Sequence, residues 1–352
     1  MKWHKWFQGL FSSDIGIDLG TANTLVYVRG KGILIQEPSI VALNEKTGQV
    51  VAVGSVAREM YGRTPQHIRV IRPLEGGVIS DFEVAEEMLS YFVRKAQQEG
   101  HKPFGPRVVI GVPSGITNVE SRAVRDAALN IGAREVFIVE EPMAGAIGAK
   151  LPVADPVGTM VIDIGGGTTD IAMISLGGVV ASRNLRIAGD AFNQNIMEYI
   201  RDEFKLLVGE KTAEELKKQV AALVPQAEVL EQKIRGRDIL TGLPREIVVT
   251  DEHLRTALGP SLEALLEAIR EVVEETPPEV LGDIMTRGAY IFGGGALIKG
   301  LPDVLEKMLG VPVHIVQEPL TCVVRGTGVI TENPEAYKDV LLAHEEDLAP
   351  QT

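Results

Sequence analysis

Ile15-Gly16-Ile17-Asp18-Leu19-Gly20-Thr21-Ala22-Asn23-Thr24 runs from an apolar strand into an Asp-aliphatic-Gly corner dressed with hydroxyls, and Leu25 to Val28 resumes as a second strand. The pattern recurs in Met160-Val161-Ile162-Asp163-Ile164-Gly165-Gly166-Gly167-Thr168-Thr169, followed by the strand Ile171 to Ile174. Two copies predict two related halves, each presenting one Gly- and Thr-rich turn. Glycine lets backbone N–H groups converge without Cβ interference, and a concave nest of amides binds anions, phosphate above all. The Thr hydroxyls add donors. Asp at the strand end adds a hard oxygen suited to Mg²⁺ held largely through water. Either turn alone reads equally well as an ordinary hairpin. The pair, with an acidic residue at the same place in each, points to a polyphosphate and its metal clamped between two halves.

Composition narrows the classes. A chain of 352 residues with 45% hydrophobic content can build two domains of ordinary size. The net charge of −13 argues against general nucleic-acid binding, which needs a cationic face. Cys322 is the single cysteine, which excludes an intramolecular disulfide and fits a reducing cytosol. It lies in the apolar stretch Leu320 to Val324, so packing suits it better than nucleophilic chemistry. The six His show no metal-ligand spacing. No apolar run approaches the ~20 residues of a membrane span.

The N-terminus stands apart. Trp3, Trp6, Phe7, Leu10 and Phe11 recur at helical spacing, with Lys2, His4, Lys5 and Gln8 on the other side. The segment is too short to cross a bilayer and lacks the smooth apolar stretch and small-residue cleavage site of a signal peptide. Indole rings flanked by Lys suit the lipid headgroup boundary. Residues 1–13 therefore read as an amphipathic membrane helix, detached by Ser12-Ser13 from the first core strand.

The first half opens with the hairpin at 14–30, and residues 31–77 look like a small strand-rich insertion with a short helical piece near Ser55 to Tyr61. Ser80-Asp81-Phe82-Glu83 and Thr117-Asn118-Val119-Glu120 read as capping boxes, each opening a helix. Val108 to Val112 and Val136 to Val139 are strands, the second leading through Glu140-Glu141-Pro142 into a small-residue helix ending at Gly148. The second half repeats the plan with a hairpin at 159–180. A charged, helical insertion covers about 190–245, with Thr212-Ala213-Glu214-Glu215 as another capping box. A strand at Ile247 to Val249, a long helix at 251–275 and a break at Pro277-Pro278 come next. The strand Ala289 to Phe292, Gly293-Gly294-Gly295-Ala296, a helix, the strand Val313 to Val316 and a helix from about Thr321 complete it. Such alternation implies α/β halves with helices covering the sheets.

With these residues assembled, the chain resembles the actin-like ATPase superfamily, which also holds Hsp70-type ATPase domains and sugar kinases, and within it the MreB family of bacterial rod-shape proteins. The matching stretches are Asp18 to Thr24, Pro73-Leu74 with Gly76-Gly77-Val78-Ile79 and Asp81, Val109 to Pro113, and Gly132-Ala133-Arg134-Glu135-Val136. Glu141-Pro142-Met143-Ala144, Asp163 to Thr169 and Gly293 to Leu297 extend the match, so that it runs from about residue 14 to 340.

The resemblance implies an α/β fold of two RNase H-like domains, each with a small inserted subdomain, around a nucleotide cleft. Domain I would take 14–145 plus 320–352, with its subdomain at about 31–77; domain II would take 146–319, with its subdomain at about 186–245. Thr21, Ala22 and Asn23 would meet the β- and γ-phosphates of ATP or ADP from one side, and Gly165, Gly166, Gly167 and Thr168 from the other. Asp18 and Asp163 would hold Mg²⁺ through water. Gly293, Gly294, Gly295 and Ala296 would approach the nucleoside and α-phosphate, and Glu214 and Lys217 the ribose or adenine, although those two also read as solvated charges. Glu141 is the catalytic candidate: it follows a strand, precedes a Pro suited to a first helical turn, and would orient water towards the γ-phosphate with Thr168 as partner. Glu140 is its alternative, pointing differently by one residue.

Departures from the family pattern are Asn193 for a usual Asp, Asp170 where Glu is common, and Arg325 where a small or apolar residue is common. In the loop Gly100 to Pro106, Phe104 stands where some members carry an apolar membrane-touching residue. The function implied is a self-assembling cytoskeletal ATPase. It would form filaments of paired protofilaments on the cytoplasmic face of the cell membrane, with inner-membrane lipid and the cell-wall elongation machinery as partners. A division tether resembling FtsA, or another ATPase or kinase of the superfamily, is the alternative. An FtsA-like protein would carry its lipid helix at the C-terminus, where this chain has the acidic Glu345-Glu346-Asp347. A sugar kinase would need a base facing an acceptor pocket, and no residue pattern supplies one. A chaperone ATPase would need a substrate domain after the core.

Overall fold

A computed structural model describes residues 14–97 and 105–342. Trp3, Trp6, Phe7, Leu10, Phe11 and Phe104, expected at the membrane, lie outside the described residues. The chain divides into two compact units. One comprises residues through Pro156, Ile174–Val179 and Thr321 onward; the other comprises Val157–Met173 and Val180–Leu320.

The first unit begins with β1 (Ile15–Leu19), β2 (Asn23–Val28) and β3 (Gly32–Pro38), an antiparallel meander. A small sheet of β4 (Val41–Asn44), β5 (Val50–Val53) and β6 (Ile68–Ile71) follows, with α1 (Ser55–Met60) between β5 and β6. The hairpin β7 (Leu74–Glu75) and β8 (Val78–Ile79) leads into α2 (Phe82–Gln97). Then come β9 (Arg107–Val112), α3 (Asn118–Asn130), β10 (Glu135–Glu140) and α4 (Glu141–Gly148). β9 runs parallel to β1 and β10 parallel to β9, so the main sheet has the order β10-β9-β1-β2-β3. The inserted piece is thus β4 to β6, not the whole of 31–77, because Gly32–Pro38 pairs along β2 in the main sheet. Ile15, Ile17, Val108, Ile110 and Ile138 from the central strands meet Met88, Leu89 and Phe92 of α2 in one core. Their continuous apolar character is what burial on both faces of a sheet demands.

Caps show where local chemistry decides. The Thr117–Glu120 capping box opens α3 as expected. The box expected at Ser80–Glu83 does not form. Asp81 Oδ1 accepts the Val84 N–H at 3.2 Å and becomes the cap, while the Ser80 hydroxyl donates to the Arg72 carbonyl. A carboxylate is the stronger acceptor for an orphan amide at a positive helix end.

The second unit holds β11 (Thr159–Ile164), β12 (Thr169–Ser175), β13 (Gly178–Leu185), α5 (Gly189–Phe204), β14 (Leu206–Leu207) and α6 (Glu210–Gln219). β15 (Glu231–Asp238), β16 (Pro244–Thr250), α7 (Asp251–Glu275), α8 (Pro278–Arg287), β17 (Ala289–Phe292), α9 (Leu301–Leu309) and β18 (Val313–Ile315) continue it. α10 (Cys322–Glu332) belongs to the first unit. The main sheet is ordered β13-β12-β11-β17-β18. Reading the first sheet as β3-β2-β1-β9-β10 gives the same order of connection, so the duplication seen in the two turns extends to the whole sheet.

Three expectations for this unit change. The segment 190–245 is not helical throughout: β14, β15 and β16 form a separate small sheet. In β15 the charged Glu231, Lys233, Arg235 and Arg237 are all exposed, while Gln232, Ile234, Gly236 and Asp238 turn inward. This is the period of a strand, hidden because Ile234 is the lone large apolar residue on the inner face. The box at Thr212–Glu215 also fails. α6 starts earlier at Gly209, whose carbonyl accepts from Thr212 and Ala213. The break at Pro277-Pro278 is also a start, since Pro278 sits in the first turn of α8, where its missing N–H costs nothing.

The division between the units falls after Pro156 rather than at 145, because α4 is clasped by α10 within the first unit. A Cβ on Gly148 would lie 1.9 Å from the Cys322 carbonyl oxygen, and one on Gly326 would lie 1.8 Å from that of Ala144. Cys322 is buried in this seam and its Sγ donates to the Gly145 carbonyl at 3.3 Å, so its role is packing. No helix among the described residues is long and apolar enough to cross a membrane.

Candidate functional site

β1, β9 and β10 are parallel, so their carboxyl ends share one edge of the first sheet, the edge at which α/β sheets bind ligands. Three segments emerge there: the turn after Asp18, Pro113-Ser114-Gly115, and Glu140-Glu141. In the turn, Thr21 is buried and its Oγ1 accepts the Gly77 N–H at 3.1 Å, which anchors the turn to the β7–β8 hairpin. Ala22 and Asn23 are exposed at the tip. The Ser39 hydroxyl donates to the Gly20 carbonyl at 2.6 Å and lies 2.9 Å from Thr24 Oγ1, clamping the turn from behind. Ser39 was invisible in the sequence, a lone hydroxyl after Pro38.

Asp18 is half-buried, and the loss of water around it pushes its carboxyl up to about 7. A carboxylate desolvated this way is primed for a cation. Glu141, the first residue of α4, is 8% exposed, and its stem lies over Gly111 of β9. Glu140 points elsewhere, as expected. Its Oε1 accepts the Gly115 N–H at 3.3 Å, and burial raises its carboxyl above the usual range despite that bond.

The equivalent edge of the second sheet carries the turn after Asp163 and the Gly293–Ala296 segment after β17. The Gly165 N–H is spent on the Thr168 carbonyl at 2.9 Å, closing the turn, so Gly165 is not an open donor as expected. The amides of Gly166 and Gly167 have no backbone carbonyl partner among the described residues. Thr168 is buried beside them. The N-terminus of α5 braces the turn, with Gly189 and Asp190 amides donating to the Gly165 and Gly166 carbonyls at 3.2 and 2.8 Å. Gly293 has φ +78°, and a Cβ there would lie 2.4 Å from Asp163 Oδ1. A Cβ on Gly295 would lie 2.1 Å from Ile164 Cγ2. These two glycines are therefore required by packing onto the end of β11, whereas Gly294 meets only Leu320 at 3.6 Å.

Glu214 and Lys217 are not solvated charges. Lys217 Nζ donates to the Gly189 carbonyl at 2.8 Å and pairs with Glu214 at 2.7 Å; Glu214 also receives Lys218 at 2.7 Å and the Asn193 amide at 3.0 Å. Burial would raise the Glu214 carboxyl, but the Lys217 ammonium, with hydrogen bonds from Lys217, Lys218 and Asn193, holds it down to about 2. The cluster thus reaches the turn after Asp163 through Gly189. Asn193 Oδ1 is buried without a hydrogen-bond partner, an acceptor that fits a ligand hydroxyl. The other two departures are also accounted for: buried Asp170 accepts from Asn184 at 2.9 Å, and Arg325 donates to Cys322 Sγ at 3.5 Å.

The Glu214 pairing has a pH consequence. A carboxyl held low in the folded state contributes stability that is full above its unfolded value, near 4.5, and is lost as pH falls through about 2. Lys217→Met should therefore cost about 1–2 kcal/mol at pH 6, after allowance for partial exposure, and much less near pH 2. Urea unfolding midpoints at the two pH values measure this; an equal cost at both would mean the pairing carries no charge-dependent stability.

Among the described residues no group of three or more His, Cys, Asp and Glu is placed to hold a metal ion by itself. Isolated carboxylates at strand ends suit a cation that keeps its waters and shares phosphate oxygens. Asp18 in the first unit, and the Gly166 and Gly167 amides with the Asn193 acceptor in the second, are each of a kind that suits a magnesium nucleotide.

Comparison with known proteins places this geometry. The sequence model of the MreB/Mbl protein family matches residues 12–339. The chain is 49% identical over 324 residues to the cell shape-determining protein Mbl of Bacillus subtilis, covering 92% of this chain and 97% of that one. It is 45% identical over 345 residues to the cell shape-determining protein MreB of Escherichia coli, covering 97% and 99%. MreB5 of Spiroplasma citri, solved bound to ADP, superposes with a TM-score of 0.88 at 38% identity, over 94% of this chain and 98% of that one. The same protein has been solved with AMPPNP.

Proposed function

The chain belongs to the actin-like MreB/Mbl family, and on that premise we propose that it is an ATPase that assembles into filaments on the inner face of the cell membrane, organising wall synthesis and rod shape. The observation that carries the reading is the duplicated edge: two sheets of one topology, each ending its first strand in an aspartate and an amide-rich turn. Relatives named for determining cell shape support the role in rod shape. The MreB5 structures with ADP and AMPPNP support an adenine nucleotide.

In this reading Thr21, Ala22 and Asn23 donate to β- and γ-phosphate oxygens, as do Gly166, Gly167 and Thr168. Asp18 and Asp163 receive Mg²⁺ through its waters. The ion, when bound, neutralises phosphate charge that develops during transfer. Gly294 and Ala296 lie along the nucleoside, with Gly293 and Gly295 shaping that segment; Glu214, Lys217 and Asn193 meet the ribose and base. Glu141 accepts a hydrogen bond from the attacking water and orients it, with Thr168 assigned to the same step. Residues 1–13, with Trp3, Trp6, Phe7, Leu10 and Phe11, touch lipid, joined by Phe104. Weak single anchors suffice because a polymer links many of them.

Sedimentation with MgATP, with and without anionic liposomes, tests the assignment. A pelletable polymer that recruits to vesicles is expected; no polymer under any nucleotide, with a small molecule phosphorylated instead, would sink it. Deleting residues 2–11 should lower vesicle recovery about tenfold or more while phosphate release in solution stays within about twofold. Equal recovery of both proteins would remove the anchor.

A further inference from the structure

Gly111 is the lone glycine of β9, set among buried Val108, Val109, Ile110 and Val112. A glycine inside a strand sacrifices packing and backbone rigidity, and it persists where something approaches closely. Its backbone does not require it, because Gly111 is not among the residues with positive φ. Nor does a neighbouring backbone crowd it, unlike Gly148 and Gly326: the nearest main-chain atom to a Cβ built there is the Ile17 oxygen at 3.7 Å. What such a Cβ would meet is side chain, Val323 Cγ1 at 3.0 Å and Glu141 Cγ at 3.6 Å. Asp18 of β1, Gly111 and Val139 of β10 stand in one cross-strand row, so the Asp18 side chain leaves the same face as the missing Gly111 side chain. Glu141 enters that face from the β10 side and Asp18 from the β1 side, and over Gly111 the Glu141 stem shares the space only with the tip of Val323.

The geometry points to Gly111 as a positioning residue for hydrolysis: its missing side chain keeps open the slot through which the Glu141 carboxylate reaches over β9 towards Asp18. This rests on the assignment of Glu141 as the group that orients water. A methyl in the slot leaves the Glu141 stem in ordinary contact but removes the room in which its carboxylate adjusts. Displacements well under 1 Å at such a group change rates greatly, since catalysis here is mostly alignment.

The test is Gly111→Ala in the full chain, with MgATP as substrate, beside Glu141→Gln and Gly111→Ala/Val323→Ala. The expected result for Gly111→Ala is a fall in kcat of about tenfold or more, with KM and nucleotide affinity within about threefold and the melting temperature within a few degrees. Val323→Ala added to it relieves the one tight contact, so the double variant should fold at least as well and remain slow. A kcat within twofold of wild type overturns the inference. So does recovery of kcat in the double variant, which assigns the loss to crowding of Val323, and so does a parallel collapse of affinity and melting temperature, which makes Gly111 merely structural. Glu141→Gln separates the two levels: full activity there removes the assignment beneath the inference, whereas a slow Glu141→Gln beside a normal Gly111→Ala removes the inference alone.

Discussion

Gly326→Val should leave little or no stably folded protein. Gly326 lies on α10 where that helix crosses α4, and even a Cβ would stand 1.8 Å from the Ala144 carbonyl oxygen and 2.5 Å from its carbon. Neither is the movable tip of a flexible side chain; both belong to helical backbone. The partner glycine is no help, because Gly148 is pressed just as hard against the Cys322 carbonyl. The helices must separate to admit the side chain, and separation opens a void along a buried seam that includes Met143, Ala144 and Ile147 of α4. Overpacking of this kind costs about 1–3 kcal/mol where side chains give way and more where backbone must move. Against a total stability of about 5–15 kcal/mol, a loss above 3 is grave. Soluble yield and thermal melting followed by circular dichroism measure it. The control is Gly282→Ala, in the interior of α8 with nothing within 4 Å of the new methyl and no proline after it. That change should raise stability by about 0.5–1 kcal/mol. If Gly326→Val melts like wild type, α4 and α10 are not locked as described, and the placement of Glu141 at the start of α4 loses its support.

The contrast between these glycines shows what the sequence discloses. The two Asp-Gly turns were legible because hairpin, amide nest and acidic strand end are all local, and local chemistry repeats visibly in both halves. The central strands of both main sheets were legible for the same reason, as buried apolar runs bounded by turns, whereas β3 read as part of the insertion and β13, only partly buried, was missed. Order within the sheets was not, since β9 pairs with β1 across a gap of many residues and nothing in either strand names its partner. β15 escaped notice because its inward face holds Ile234 beside Gln232, Gly236 and Asp238, so alternation appears only in the exposed charges. Glu141 was separable from Glu140 by its neighbour Pro142, and the structure sends the two side chains to different places, Glu140 to the Gly115 N–H and the Glu141 stem over Gly111. Ser39, Gly77 and Gly111 carried no such signal. Each matters for what another segment brings to it: the turn at Gly20, Thr21, and the stem of Glu141. Lys217 and Glu214 were ambiguous because a helix surface pair and a ligand-facing pair have the same spacing. What the structure adds is the Gly189 carbonyl, which ties Lys217 into the fold rather than leaving it in solvent.

Glu141→Gln should lower the rate of ATP hydrolysis about 100- to 1,000-fold while leaving nucleotide affinity within a few-fold. The substitution keeps size and shape, so α4 still begins at the same place and the stem still rests over Gly111. What it removes is the anionic acceptor. A neutral amide presents one weaker acceptor oxygen and two donors, and a donor turned towards water orients it the wrong way round. Affinity is spared because the phosphate contacts are assigned to amides and hydroxyls elsewhere. Phosphoryl transfer asks little of a base beyond alignment and charge, so the loss falls short of what removing a nucleophile would cost. Glu140→Gln serves as the discriminating partner. Glu140 has its Oε1 committed to the Gly115 N–H, an acceptor role that glutamine can keep. Its burial already favours the neutral form, so losing the charge costs the fold little. Hydrolysis in Glu140→Gln should stay within about threefold of wild type. Single-turnover phosphate release, with nucleotide binding measured separately, reads both variants. A slow Glu140→Gln beside a normal Glu141→Gln would reverse the assignment, and equal rates in all three proteins would place the water-orienting group outside this strand end altogether.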